Sequence, residues 1–329
     1  MIKEVFARVL AVSCFAAVAG VACAQALPGG ARELKPVPAY AHRNAAQEMM
    51  QGIAKVGKRF VAVGDHGIVL LSDDGGKTFR QAKSVPISAM LNAVSFVDER
   101  HGWAVGHWGA ILSTEDGGET WQLQRSDTTT DQPLFAVHFD DARNGVAVGL
   151  WSLVLTTSDG GAHWNPVSLP APPDKGKADR NLLGIFSDTK GTWFVPAERG
   201  MILRSADRGA TWTYLDTGYK GSFWTGLALS DGTLIAGGLR GTIYRSGDGG
   251  KSWTVAETGS RSSVTAMGLV EGKLVAVGLD GTVLQSRDQG RTFRVTQLED
   301  RPSLSGIADA GNGSVVLLSE RGIVPFKLP

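Results

Sequence analysis

Seven side chains occupy one equivalent position of a repeated turn, and they are the residues of this sequence best suited to recognition chemistry. They are His66, Trp108, Trp151, Arg199, Arg240, Asp280 and Arg321. Arginine offers a planar fork of donors for carboxylates, and tryptophan offers a large rigid apolar surface. Together these types dominate protein–protein contact sites. His107 stands beside Trp108. Two nearby loops add Tyr219, Lys220 and Arg261, and the charged, proline-rich stretch 165–182 adds Asp174, Lys175, Lys177, Asp179 and Arg180. That stretch suits either a semi-rigid contact arm or a tolerated insertion.

Catalytic chemistry has less support. No Gly-x-Ser-x-Gly nucleophile motif, His-Glu-x-x-His zinc motif or phosphate-binding loop occurs. His66 and His107 lie on neighbouring turns, but no third ligand stands at a matching spacing, so no metal is expected. The alternative reading is a sialidase-like glycoside hydrolase, with Arg199, Arg240 and Arg321 holding a substrate carboxylate. It lacks the Arg-Ile-Pro signature, and Tyr244 falls on a strand away from the centre.

These residues must be positioned by a repeat. Six segments share Ser/Thr first, Asp third, Gly fifth and an aromatic eighth. They are SDDGGKTF (72–79), TEDGGETW (114–121), TSDGGAHW (157–164), SADRGATW (205–212), SGDGGKSW (246–253) and SRDQGRTF (286–293). Their aspartates, Asp74, Asp116, Asp159, Asp207, Asp248 and Asp288, recur every 40 to 48 residues. A carboxylate at a tight turn accepts local backbone N–H groups, so these aspartates read as structural. Before each box come an apolar strand, a three-residue turn and a second apolar strand, as in FVAVG-DHG-IVLLS (60–72). A seventh copy, VVLL-SERG-IVPF (315–326), lacks the box.

A period near 40 built from strands and turns predicts an all-β fold: a seven-bladed β-propeller of four-stranded antiparallel blades with Asp-box turns. The last copy supplies three strands, so residues 32–40 are expected to add the fourth and close the ring. Labelling strands A to D from centre to rim, the boxes join C to D on one face. The B–C turns and the D–A connections between blades lie on the other. Functional side chains are expected on this second face.

The longer unit, from Phe96-Val97-Asp98 through Gly102-Trp103-Ala104-Val105-Gly106 to Trp121, resembles the photosystem II assembly/stability factor family of Asp-box (bacterial neuraminidase-type) repeat propellers. The resemblance covers about residues 45–325. It implies a non-catalytic scaffold that docks onto membrane-protein subunits through an arginine-bearing face, or onto components of a transport or export system. It implies no cofactor and no small-molecule substrate.

Composition agrees with such a module. The 329 residues are 43% hydrophobic, with 33 basic and 32 acidic side chains, which gives no basic excess for nucleic acid. Lys3 and Arg8, the apolar run 9–23 and Ala22-Cys23-Ala24 form a signal-peptide pattern with cleavage after Ala24. Cleavage would remove Cys14 and Cys23, the only cysteines, and send the protein to the periplasm. Cys23 lacks the large apolar residue upstream that a lipoprotein signal prefers. The expected organisation is a signal peptide at 1–24, a closing segment at 25–45 and a propeller at 46–329, exported as a monomer.

Overall fold

The computed structural model describes residues 35–329; the signal-peptide pattern and residues 25–34 lie outside the described residues. Seven antiparallel sheets follow one another along the chain, six of four strands and the last of three. In blade one the strands are Met50–Val56, Arg59–Gly64, Val69–Ser72 and Arg80–Gln81, paired in that order. The first strands of six blades, with residues 183–185 just before that of blade four, line a central channel. Among the described residues no helix is long and apolar enough to cross a membrane.

Strand B explains why the blades stack. Phe60 to Gly64 are all buried, although a strand normally shows alternation. Its two faces serve two neighbours. Val61 and Val63 pack with Leu91, Ala104 and Leu112 of blade two, whereas Ala62 packs with Leu318 of blade seven. Period-two geometry therefore places one apolar set on each side of every sheet.

The boxes lock this stacking. In the first, the Ser72 hydroxyl donates to Asp74 Oδ1 at 2.9 Å and accepts from Gly76 N–H at 2.9 Å. Thr78 donates to the same carboxylate through N–H at 3.0 Å and through its hydroxyl at 2.6 Å. The box aromatic then packs back on the preceding blade. Trp121 joins Val61 and Val63 of blade one, and its Nε1–H donates to Gly118 C=O at 2.9 Å. Phe79 reaches Leu318 and Ile323 of blade seven, across the point where the ring closes.

Of the expected closing strand at 32–40, residues 32–34 lie outside the described residues, and the remainder is not a strand. Among the described residues the last sheet holds Leu304–Gly311, Ser314–Ser319 and Gly322–Lys327 alone. Residues 35–40 form no strand; they lie beside blade one, where Ala39 N–H donates to Val85 C=O at 3.0 Å and Gln81 donates to Tyr40 C=O at 2.9 Å. Proline explains the difference. Pro36 and Pro38 lack N–H donors, and Pro325 removes another from the outer edge of the last sheet. Contacts between inner strands join the first and last blades. The Ser305 hydroxyl donates to Met50 C=O at 2.5 Å, and Lys55 Nζ donates to Asp309 C=O at 2.8 Å.

Candidate functional site

The two faces separate as the strand order requires. Box residues meet the A–B turns: Gly117 N–H donates to Arg100 C=O at 3.0 Å, and Gly160 N–H to Arg143 C=O at 2.9 Å. The B–C turns meet the D–A loops: Asp127 N–H donates to Trp108 C=O at 2.7 Å, and Gly200 N–H to Gly221 C=O at 2.7 Å. The seven turn residues therefore share the face opposite the boxes.

Each of the first six turns is a reversal with two left-handed central residues. In blade one, Ile68 N–H donates to Asp65 C=O at 2.9 Å, and His66 and Gly67 have φ of +54° and +70°. This is type I′ geometry, which follows the twist of the flanking strands. Trp108, Trp151, Arg199, Arg240 and Asp280 are also left-handed, at φ of +53° to +59°. A bulky residue in this conformation costs about 1–2 kcal/mol. Neighbouring side chains brace several of them. Asp131 accepts from Trp108 N–H at 2.8 Å, Asn181 from Trp151 N–H at 3.3 Å, and Ser263 from Arg240 N–H at 3.1 Å. Arg321 differs: Ser319 pairs with Gly322 across a two-residue turn in which only Gly322 has positive φ.

The tips are unequal in availability. Trp151 is 55% exposed, and Arg199, Arg240, Arg321, Lys220 and Arg261 are exposed. Trp108 is half-buried, so of the two tip tryptophans Trp151 alone is exposed. His107 meets Asp131 at 3.2 Å, and Asp280 accepts from Gln297 at 2.8 Å. His66 lies 5.5 Å from the His42 ring, which stacks on Tyr40. Among the described residues no cluster of three metal-ligating side chains forms. Tyr219 supports rather than presents. Its hydroxyl donates to Leu239 C=O at 3.1 Å beneath the Arg240 turn, and its ring packs on Phe223 and Tyr244. Tyr244 is thus held on its strand among aromatics.

A second feature was not read from the sequence. In six blades strand A carries a β-bulge at its second residue, next to the B–C turn. Bulges re-aim side chains. The bulged residues line the mouth of a channel of about 570 Å³. On blades six, seven, one and two they are polar: Thr265, Ser305, Gln51 and Asn92. Three of these clip onto the next blade, as Asn92 does by donating to Leu134 C=O at 2.8 Å. On blades three to five the equivalent residues are Phe135, Leu183 and Trp224. The apolar sector of the rim therefore belongs to the blades whose tips are Trp151, Arg199 and Arg240. The signal was present as a recurring apolar–variable–small triplet, such as Leu91-Asn92-Ala93 and Phe223-Trp224-Thr225.

Residues 165–182 complete this sector. The Arg180 backbone C=O accepts from Ser152 N–H at 2.7 Å, and Asn181 Nδ2–H donates to Glu198 at 3.1 Å, so the loop runs between the tips of blades three and four. Arg180 is buried, and its guanidinium pairs with Asp174. Asp174 also lies 3.6 Å from Arg199. The Arg180 hydrogen bond, with the Gly176 N–H, holds the Asp174 carboxyl down at about 2.

No curated protein matches the chain. Among solved structures, "YCF48 bound to D1 peptide" aligns at TM-score 0.69 and 17% identity, covering 89% of this chain and all of that one. YCF48 from Cyanidioschyzon merolae aligns at 0.66 and 15%, covering 86% and 96%. The WD40 β-propeller domain of Doa1 aligns at 0.65 and 15%, covering 88% and 95%. At these identities the likeness concerns the fold. Residues 81–134 and 123–277, more than half of the chain, match the family described as Photosynthesis system II assembly factor YCF48. The chain belongs to that family.

Proposed function

We propose that this propeller is a non-catalytic scaffold that binds an exposed segment of a membrane-protein subunit during assembly, through the face of the B–C turns. One observation carries the reading. Trp151, Arg199 and Arg240 keep large side chains in left-handed conformations where glycine or asparagine would be less strained. Strain held at exposed tips points to a use for those side chains. Their sector adds the apolar rim of Phe135, Leu183 and Trp224, so the surface suits a segment with both apolar and acidic groups. Family membership, and a YCF48 structure bound to a D1 peptide, support the same kind of partner. Export through the signal-peptide pattern would place the protein on the outer side of a membrane, beside photosystem subunits or transporter components.

The test is co-isolation from detergent-solubilised membranes with quantitative mass spectrometry. The triple variant Trp151→Ala/Arg199→Ala/Arg240→Ala should lose the membrane partners. A box-face control, Lys77→Ala/Arg100→Ala, should keep them. Equal recovery by both variants would remove this face from the proposal.

A further inference from the structure

The loop between blades three and four contains an arrangement that the partner-binding reading leaves unexplained. Arg180 is only 1% exposed. Its Nη2 contacts Asp174 Oδ2, yet Nε and Nη1 find no acceptor among the described residues. The guanidinium carbon lies 5.6 Å from the centre of the Tyr214 ring, and the buried Tyr214 hydroxyl has no partner among them either. A buried guanidinium ordinarily uses its whole fork, and carboxylates match that fork with two parallel bonds. Here one acid oxygen serves two arginines, because Arg199 also reaches Asp174 Oδ2. The other oxygen accepts from Gly176 N–H at 3.1 Å. Glu198 is engaged by Asn181. Asp174 is thus the one carboxylate paired with both guanidinium groups.

The loop has few polar ties; its apolar anchors are Leu169, packed on the core between blades three and four, and the buried Pro172. Among the described residues, the only ion pair or hydrogen bond from residues 168–179 to a residue outside the loop is that of Asp174 with Arg199. Lys175 beside it is left-handed, at φ +57°. Release of Asp174 would therefore free the exposed segment 173–179 and uncover the fork, while Leu169 and Pro172 keep the base of the loop in place.

We infer that Arg180, Arg199 and the Tyr214 hydroxyl form a binding site for an acidic side chain of a partner polypeptide, and that Asp174 occupies it as a built-in stand-in. The occupant is an Asp or Glu side chain because the stand-in is one, presented from an extended, proline-flanked segment, Pro172-Pro173-Asp174. Exchange replaces a one-oxygen contact with a two-oxygen pair, and the loop lifts as the partner seats. Self-occupancy lowers apparent affinity by the fraction of time the site is closed. The inference rests on the turn face being the partner surface, but its test uses small probes and needs no natural partner.

The probes are acetyl-Ala-Asp-Ala-amide, the matching Asn peptide, and acetyl-Ala-Ala-Ala with a free terminal carboxylate. Binding is read from the Arg180 Nε–H resonance of the 15N-labelled protein at constant ionic strength, and opening from trypsin cleavage after Lys175. The Asp peptide should bind Asp174→Asn about tenfold tighter than the wild type. In the wild type it should speed cleavage, and in Asp174→Asn cleavage should already be fast. The Asn peptide should do neither, and Arg180→Gln should abolish binding. If Arg180→Gln fails to fold, the exposed Arg199→Gln should weaken binding instead. Equal affinity in wild type and Asp174→Asn would overturn the stand-in role. Binding of the free-terminus peptide without the Asp peptide would overturn the choice of a side chain. Either failure leaves the membrane co-isolation result standing on its own.

Discussion

Trp193 Nε1–H donates to Asp140 Oδ1 at 2.9 Å, joining strand B of blade four to the A–B turn of blade three. His138 Nε2 meets the same oxygen at 3.1 Å. Trp193 is fully buried, so loss of its acceptor leaves a donor unsatisfied. Asp140→Ala should destabilise the protein by about 2 kcal/mol, read from chemical denaturation. Trp193→Phe, which removes the donor as well, should blunt the further effect of Asp140→Ala. Full additivity of the two would show that the bond contributes nothing.

His138 gives this seam a pH dependence. Burial pushes its pKa below the usual histidine value, and the Asp140 charge only partly offsets that. The unfolded state then binds the proton more readily than the folded one. The stabilising contribution is present above about pH 6.5 and is lost as pH falls through the lower folded value. His138→Gln should flatten the decline in melting temperature between about pH 6.5 and 5. An unchanged slope would mean that other groups set it.

The box aspartates act lower on the scale. The Thr78 hydroxyl, then its N–H and the Ser72 hydroxyl, hold Asp74 well below the usual carboxylate range. Asp116, Asp159, Asp207, Asp248 and Asp288 shift in the same direction. Their stabilisation is complete above about pH 4 and is lost as pH falls toward the folded values. Thr78→Val/Thr211→Val should therefore move the acid unfolding midpoint upward. Circular dichroism across a pH series measures it, and an unmoved midpoint would remove the hydroxyls from the account.

The boxes were legible from the sequence because their chemistry is local, complete within eight residues and repeated in register. The assignment of turns to faces followed from strand order alone. Three features were not legible. Residues 35–40 form no strand because Pro36 and Pro38 lack donors and Pro325 removes one from the edge they would meet, and that balance depends on which edges meet. The left-handed tips were missed because a Trp or Arg does not announce positive φ. The Arg180–Asp174 pair was visible only as loop charges, since its burial depends on how residues 165–182 fold over Tyr214.

The tips should trade stability against binding. Trp151→Asn places a residue tolerant of left-handed backbone at φ +53°, and Trp151 is already largely in water. The variant should be about 1 kcal/mol more stable and should bind membrane partners more weakly. Trp108→Asn should lose stability instead, because the half-buried ring packs against its surroundings. Thermal unfolding of both variants reads the difference. A destabilised Trp151→Asn would mean that its conformation stores no strain.

The outer edge of the last sheet carries a further test. Among the described residues Gly322–Lys327 has no fourth strand beside it, and an edge left open invites pairing with another chain. Pro325 sits mid-strand opposite Val316, and Lys327 adds a charge. Both are recognised ways of blunting an edge. Pro325→Thr restores a backbone donor without a large change in volume, and Lys327→Thr removes the charge. The double variant should associate in a concentration-dependent manner, seen by light scattering, while unfolding at a melting temperature close to that of the wild type. The wild type under the same conditions is the reference. Equal scattering by the two proteins would show that something other than these residues protects the edge, with the Leu328 N–H to Gly313 C=O bond at 2.9 Å next to be broken.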